Sequence, residues 1–444
     1  MAEQGALKRL ARNLVSTTVF QASGYILALI NVPYLTRTLG VADYGVLAFV
    51  ISINAYLYLI VDWGFSLGAT RDVAQARGDE DMLRAIFWKT MTAKALLSLL
   101  ATVILFAVLA LHRVPSPIYL LLPGLLNIVG AAFTVDWFMQ GMERMGLFTL
   151  YSIGGRSLVV LLTFILVHGP DDTWIACALQ GVGGISSGLA GFIIARRVLK
   201  LGRMRLPFHA ALGQIWHYRH YFLTQSSWIA YSAAAPLMLA LIAGSSAVGL
   251  FAGADRISRI ALMVALPVSM VMYPRVNALM AQSREAAARV AGPFLAFQVS
   301  LALVLGAIFF FGADLIAAIV LGPGFHQSAE VLRWLSVLPL LTGIVGTLSR
   351  QFLIPLGWSR AVSRITMGYT AVYLVLLTGG CFAFGAVGAA MALIATEFLL
   401  AVTFAAYLLR QERPFTLAAI AAITDTPRQL AAVCTMLRGR LRSS

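Results

Sequence analysis

The chain has 444 residues, of which 60% are hydrophobic and 11% are charged, and its mean hydropathy is +0.85. Soluble domains carry about 25% charged residues, so much of this apolar surface must face lipid. A net charge of +15 would favour nucleic-acid binding in a soluble protein, but the basic residues are dispersed between apolar segments, which argues against a nucleic-acid partner. We therefore predict an all-α polytopic membrane protein.

The amino-terminal segment carries Lys8, Arg9 and Arg12 ahead of an apolar run. That run is too long for a signal peptide and has no small-residue cleavage site, so it is predicted to be a retained first span. Spans need about 20 apolar residues. By this measure about twelve transmembrane helices are predicted, near 14–36, 45–69, 86–111, 118–139, 148–168, 173–195, 220–243, 249–272, 293–312, 331–355, 365–384 and 386–409.

Lysine and arginine concentrate in alternate connections between these segments. Because cytoplasmic loops carry the excess of basic residues, both termini are predicted to be cytoplasmic. We expect an N-terminal six-helix lobe at 1–195, a basic cytoplasmic connector at 196–219, a C-terminal six-helix lobe at 220–409 and a cytoplasmic tail at 410–444. The start of the tail is either an amphipathic helix on the inner leaflet or disordered.

A short internal repeat supports two halves. Residues 40–48 and 244–252 both match the pattern Gly-x-x-x-x-Gly followed by two apolar residues and alanine, and both follow the first predicted span of their half. Six spans per half give the halves the same orientation, which predicts a pseudo-two-fold axis along the membrane normal and a cavity between the lobes.

Enzyme signatures such as HExxH, GxSxG and Walker A are missing from the sequence, and the six histidines are scattered. Three distant cysteines give no metal-site spacing. We therefore predict a protein that is not an enzyme, with no catalytic residues, no metal and no cofactor.

Ionisable residues within the predicted spans are the functional candidates, since each costs about 2.5–3.5 kcal/mol at a helix centre. Arginine and lysine bind phosphate oxygens well, so the basic members predict a cationic cavity for an anionic, phosphate-bearing amphipathic substrate. These members are Lys94, Arg156, Arg256, Arg259 and Arg350. The acidic members are candidates for coupling to a proton or sodium gradient, and they are Asp62, Asp136, Asp255 and Glu397.

Structural alternatives stay open for these residues. Asp62, Lys89, Asp136 and Arg350 are also consistent with positions near the inner interface, where snorkelling or local ion pairing explains them. Asp255 has the spacing to pair with Arg259 at i,i+4. Lys94 and Arg156 either line the cavity or pair with an acid inside the membrane.

Several motifs occur in a familiar order along nearly the whole chain. They are Leu35-Thr-Arg37-Thr-Leu-Gly40-x-x-Asp43-Tyr44-Gly45, Asp62-Trp-Gly64, Arg71-Asp72, Asp136-Trp-Phe-Met-Gln-Gly-Met-Glu143, Leu321-Gly322-x-Gly-Phe325, and Gly385-Ala-Val-Gly388 with Glu397. Together they resemble the polysaccharide repeat-unit flippases, the Wzx-type branch of the MOP exporter superfamily that serves O-antigen and exopolysaccharide synthesis. The chain departs from that pattern at 254–256, where Ala-Asp-Arg replaces a lysine-bearing segment.

The resemblance implies two lobes and alternating access in the bacterial inner membrane. It also implies movement of polyprenyl-diphosphate-linked oligosaccharides from the cytoplasmic to the outer face, with membrane lipid, a polysaccharide polymerase and chain-length machinery as partners. Two alternatives remain at this stage. A multidrug or cation antiporter of the same superfamily predicts an acid-dominated cavity, and a lipid-linked sugar polymerase or ligase predicts a large extracytoplasmic loop.

Overall fold

The computed structural model describes residues 2–110, 120–198 and 207–423, without the side chains of 2–15, 198, 260–268, 270 and 271. Part of the predicted connector and the tail beyond residue 423 therefore lie outside the described residues. The described part of the chain is helical almost throughout, and the predicted all-α membrane fold is confirmed.

The helices follow one another with short connections. They are α1 (Ala2–Asp62), α2 (Phe65–Gln75), α3 (Glu80–Ala110), α4 (Gly124–Phe133), α5 (Asp136–Gly141), α6 (Met145–Leu166), α7 (Thr173–Val198), α8 (Phe208–His217), α9 (Arg219–Ile242), α10 (Ser245–Met280), α11 (Arg284–Phe311), α12 (Ala313–Ile316), α13 (Ser328–Leu335), α14 (Leu338–Thr347), α15 (Ser359–Gln411) and α16 (Arg413–Ile423). Two π-helical segments, Ala317–Leu321 and Leu348–Leu353, and a 3₁₀ turn at Pro170–Asp172 complete the order.

Glycine breaks divide the two longest helices. Gly40 interrupts α1 with φ 75°, and Gly385 interrupts α15 with φ 53°. Side chains with a Cβ rarely adopt positive φ, so glycine permits a turn at each place without strain. The helix α15 therefore contains both of its predicted spans, 365–384 and 386–409, whereas the predicted span 45–69 runs past the end of α1 at Asp62 into α2.

Within the described residues, eight helical stretches are long and apolar enough to cross a membrane. The predicted span at 118–139 differs from its prediction, because α4 ends at Phe133 and α5 begins at Asp136, with two residues between them outside the helices. Hydropathy cannot reveal such a break, since the two residues are not strongly polar. The number of twelve crossings stays a prediction.

The chain divides into two compact units. The first unit holds the described residues up to Gly253 together with Ala317–Gln327 and Cys381–Ala386. The second unit holds Ala254–Ile316, Ser328–Gly380 and the described residues from Val387 onward. Aromatic residues such as Phe87, Trp137 and Phe138 form the core of the first unit. The division into lobes at 195 and 220 remains a prediction.

In the second unit, Phe415 of α16 packs against Phe352 with ring centroids 5.5 Å apart. Ala419 of the same helix lies directly against Gly292, where a Cβ would meet the Ala419 carbonyl oxygen at 2.2 Å. The start of the predicted tail is therefore a docked helix. The sequence left open whether this segment is helical or disordered, and the structure shows a helix as far as residue 423.

The two copies of the internal repeat meet inside the first unit. A Cβ built on Gly45 would lie 1.9 Å from the carbonyl oxygen of Ser245, and one built on Gly249 would lie 2.0 Å from the carbonyl oxygen of Val41. Each contact joins a repeat glycine to the residue four positions before the corresponding glycine. The helices therefore cross backbone to backbone with local two-fold symmetry, which small residues alone permit.

Candidate charged site of the first unit

Four of the predicted ionisable residues come together in the first unit. Asp62 ends α1, Lys94 lies within α3, Asp136 begins α5 and Arg156 lies within α6. Lys94 interacts electrostatically with both acids, and Asp136 also interacts with Arg156. We call these four residues the charged cluster. Its two acids and two bases balance in formal charge, so the group carries no surplus of either sign.

Lys94 holds the break between α4 and α5. Its side chain is fully buried, and Nζ donates a 2.9 Å hydrogen bond to the carbonyl oxygen of Thr134 and another to the Thr134 hydroxyl. Thr134 has extended backbone, so α4 ends here. In a membrane-spanning segment a backbone carbonyl without a hydrogen-bond donor costs several kcal/mol, and Lys94 removes that cost by donating to it. The positive charge of the same lysine also balances part of the negative charge of the two nearby carboxylates.

Asp62 is held by two polar side chains. The residue is 3% exposed, and its Oδ2 accepts hydrogen bonds from Ser66 Oγ at 2.9 Å and from Gln225 Nε2 at 3.2 Å. Gln225 also donates to Ser66. Buried carboxylates need such donors to stay in the protein interior. Asp62 is therefore anchored between α1, α2 and α9.

Asp136 and Arg156 form the other half of the cluster. Asp136 Oδ1 accepts a 2.9 Å hydrogen bond from the hydroxyl of Tyr151, which lies one turn and a half before Arg156 on α6. The Arg156 guanidinium lies 4.2 Å from the ring centroid of Phe20, a cation–π contact, and Nη1 lies 3.4 Å from the Phe20 carbonyl oxygen. Gly24 gives the arginine room, because a Cβ there would lie 2.6 Å from Nη1.

The remaining predicted residues belong to the second unit. Arg259 pairs with Asp255 through Nε and Oδ2 at 2.7 Å, at the i,i+4 spacing expected on α10. Arg256 is exposed on the same helix, and Arg350 is exposed on the π-helical segment Leu348–Leu353. Glu397 is 6% exposed within α15. The roles assigned to these residues and to the charged cluster stay predictions.

Sequence reasoning missed the uncharged members of the site. Thr134, Tyr151 and Gln225 supply its hydrogen bonds, yet none carries a charge that would mark it within an apolar run. Gln225 carried the clearest signal, since an amide side chain in a predicted span can hydrogen-bond to a neighbouring helix. Among the described residues, no group of three or more histidine, cysteine, aspartate or glutamate side chains is placed to hold a metal ion.

Comparison with known proteins decides the family. The family described as "Polysaccharide biosynthesis protein" matches residues 10–280, which is more than half of the chain. The chain belongs to this family. The resemblance drawn from the motifs is thereby confirmed.

Two curated relatives cover most of the chain. One is the "Putative O-antigen transporter" of Escherichia coli (strain K12), 29% identical over 399 residues, which are 88% of this chain and 94% of the relative. The other carries the same name in Shigella dysenteriae and is 25% identical over 392 residues, 88% of this chain and 97% of the relative. Both are named as transporters, in agreement with the prediction of a transporter rather than an enzyme.

Solved structures share the fold at low sequence identity. The lipid II flippase MurJ in an inward closed conformation has a TM-score of 0.66 and 14% identity, covering 92% of this chain and 91% of its own. An inward-facing multidrug resistance MATE family transporter of the MOP superfamily has a TM-score of 0.64 and 15% identity. The match covers 93% of this chain and 99% of that transporter. The chain therefore shares the fold of these two proteins, while the family match, the two curated transporters and the long apolar helices support a multi-pass membrane transporter.

Proposed function

We propose that this transporter moves an anionic, polyprenyl-diphosphate-linked oligosaccharide repeat unit from the cytoplasmic to the outer face of the bacterial inner membrane. The product would serve assembly of a surface polysaccharide such as O-antigen. The family match and the names of both curated relatives support this substrate class. The basic residues of alternate connections support cytoplasmic termini, and a polymerase and chain-length machinery are the expected partners.

The charged cluster is the observation that carries the proposal. Four ionisable side chains within the predicted spans are expensive, and a purely structural core would use apolar residues at lower cost. A polyprenyl diphosphate brings negative charge into the protein while its tail stays in lipid. Arg156 is only half-buried, and its planar guanidinium can take a phosphate in a bidentate way.

The cluster also offers a route for gradient coupling. Asp136 and Arg156 attract each other in the resting arrangement. When a proton neutralises Asp136, Arg156 loses its acidic partner and becomes available to a phosphate. Uptake of a proton would then favour capture of the substrate, and loss of the proton would favour its release. Binding of a proton at Asp136 and binding of the substrate at Arg156 would therefore be thermodynamically linked.

The balance of charges separates this proposal from a cation antiporter. A cation exporter needs surplus acidic groups, whereas the charged cluster contains as many bases as acids, and Arg256 and Arg350 add exposed positive charge in the second unit. These two arginines and Arg259 are proposed to extend the cationic path. A polymerase or ligase is disfavoured because both curated relatives are named as transporters.

A deletion strain tests the proposed function. We expect it to lose its surface polysaccharide and to accumulate a lipid-linked oligosaccharide on the cytoplasmic face, as measured by extraction and mass spectrometry. The wild-type gene should restore export, and Arg156→Ala should not. Arg84→Ala is the matched control, because Arg84 pairs with Glu80 and Asp81 at the exposed start of α3 and should complement fully. A deletion strain with normal surface polysaccharide and no accumulated intermediate would refute the proposal.

A further inference from the structure

The helix α8 presents three different faces. One face is buried within the first unit and carries Ala211 and Gln214. A second face exposes three large apolar side chains at i, i+4 and i+8: Phe208 is 52% exposed, Leu212 57% and Trp216 69%. At 100° per residue these three fall within one stripe about 80° wide. We call them the α8 stripe.

The third face of α8 is polar and open. His209, Gly213 and His217 are exposed and fall about 100° around the helix from the α8 stripe. A Cβ built on Gly213 would meet no atom within 4 Å. A helix with one face against protein, one apolar face and one polar face has the pattern of an element lying at a membrane surface.

Contacts with neighbouring helices place α8 beside the ends of helices that are able to cross a membrane. A single residue, Tyr218, separates its end from the start of α9, one of the stretches able to cross a membrane. Gln214 Nε2 donates a 3.0 Å hydrogen bond to Thr90 Oγ1, four residues inside the predicted span that begins at residue 86. Trp63 Nε1 donates a 2.9 Å bond to the Ile215 carbonyl oxygen. These contacts hold α8 beside the ends of spanning helices.

The charge around α8 identifies what covers the stripe. Residues 196–221 contain six arginines and lysines and no acidic residue. Arg196 and Arg197 are exposed at the end of α7. The Arg219 guanidinium lies 4.5 Å from the ring centroid of Trp216 and donates to the Trp216 carbonyl oxygen at 2.8 Å. A tryptophan with an arginine over its ring suits the headgroup region, where apolar and anionic groups meet.

We propose that α8 is an interfacial helix whose stripe inserts into the bilayer while the surrounding arginines bind the phosphates of anionic phospholipids. The occupant is the lipid surface rather than a protein, because the stripe adjoins spanning helices and lies in a sequence segment, 196–221, that carries basic residues and no acidic residue. Neither the family match nor the proposed substrate assigns such a contact. The lipid bound here would be structural lipid and not cargo.

Nitroxide labels on two adjacent residues of α8 test the insertion. Leu212→Cys and Gly213→Cys are made in a chain with Cys177, Cys381 and Cys434 replaced by alanine, and each is reconstituted in vesicles of phosphatidylcholine and phosphatidylglycerol. Power-saturation spectroscopy then compares collisions with oxygen, which partitions into lipid, and with a water-soluble nickel complex. The oxygen-to-nickel ratio should be about tenfold higher at 212 than at 213. Phe208→Cys provides a second position on the stripe and should match 212.

Several outcomes would overturn the proposal. Equal ratios at 212 and 213 would place the stripe in water. Protection of 212 from both reagents, or protection that grows with the ratio of protein to lipid, would mean that a protein surface covers it.

The role of charge is tested by lipid composition. In vesicles of phosphatidylcholine alone, the ratio at 212 should fall, because the anionic anchor is missing. Replacement of Arg196, Arg197 and Arg219 by glutamine should remove that dependence, whereas the control Arg84→Gln should keep it. If the oxygen-to-nickel ratio at 212 were the same with and without phosphatidylglycerol while Arg196, Arg197 and Arg219 are all present, recognition of anionic lipid would be refuted.

Discussion

The crossing of the two repeats makes a sharp prediction for Gly45→Ala. A Cβ at this position would lie 1.9 Å from the Ser245 carbonyl oxygen, whereas real Cβ atoms essentially never approach closer than 3.0 Å. The two backbones must therefore part by about 1.1 Å at this point. Overpacking of this kind costs about 1–3 kcal/mol.

Gly154→Ala is the matched control, since Gly154 lies within α6 and a Cβ there meets nothing within 4 Å. Both changes gain the helix propensity of alanine over glycine, about 0.5–1 kcal/mol. That gain cancels in the comparison, so the difference in free energy of unfolding between the two variants should equal the strain, about 1–3 kcal/mol.

The assay is equilibrium unfolding in mixed micelles of dodecyl maltoside and dodecyl sulfate, followed by circular dichroism. Gly249→Ala should behave like Gly45→Ala, because its Cβ would lie 2.0 Å from the Val41 carbonyl oxygen. The double variant should cost less than the sum of the two single changes, since one separation of the backbones relieves both contacts. If Gly45→Ala proved as stable as Gly154→Ala, the close crossing of the repeats would be wrong.

Three further predictions concern the ionisable residues. Lys94→Met removes the donor to Thr134 and leaves the two acids of the charged cluster with Arg156 as their one cation, so it should cost about 3–5 kcal/mol in the same unfolding assay; adding Asp136→Asn should recover much of the loss, and no recovery would contradict the pairing. Tyr151→Phe deletes a 2.9 Å bond to a carboxylate and should cost about 1.5–3 kcal/mol, while an unchanged stability would show that the bond contributes nothing. Arg259→Gln breaks a partly exposed ion pair, so the free energy of unfolding should change by less than about 1 kcal/mol. Export by a deletion strain complemented with this variant should nevertheless fall, and unaffected export would remove Arg259 from the cationic path.

Hydropathy and glycine placement predicted most of the helical layout. The turns at Gly40 and Gly385 were visible because glycine follows each apolar run, and both proved to be breaks with positive φ. The break at Thr134 was invisible, because a threonine and a valine inside an apolar run carry no turn signal. Its stability depends on Lys94, which lies 40 residues away in sequence.

The candidate site was predicted residue by residue but not as an arrangement. Each ionisable side chain stands out in an apolar span, so Lys94 and Arg156 were found individually. Their partners were not, since Gln225 reaches Asp62 across 163 positions and Tyr151 is an ordinary aromatic residue by sequence. The spacing of charges along the chain cannot report which helices pack together, and only the fold shows that the two acids and two bases of the charged cluster come together.

Transport in proteoliposomes shows directly whether the protein moves a lipid-linked oligosaccharide across a membrane. Purified protein is reconstituted with a polyprenyl-diphosphate-linked oligosaccharide whose sugars are labelled in the inner leaflet, and their appearance outside is followed with an impermeant glycosidase. We expect the label to become accessible in vesicles with the wild-type protein, Arg156→Ala to reduce the rate, and Arg84→Ala to leave the rate unchanged. Label that stays as protected as in protein-free vesicles, in the presence of proton or sodium gradients of either direction, would contradict the proposed function.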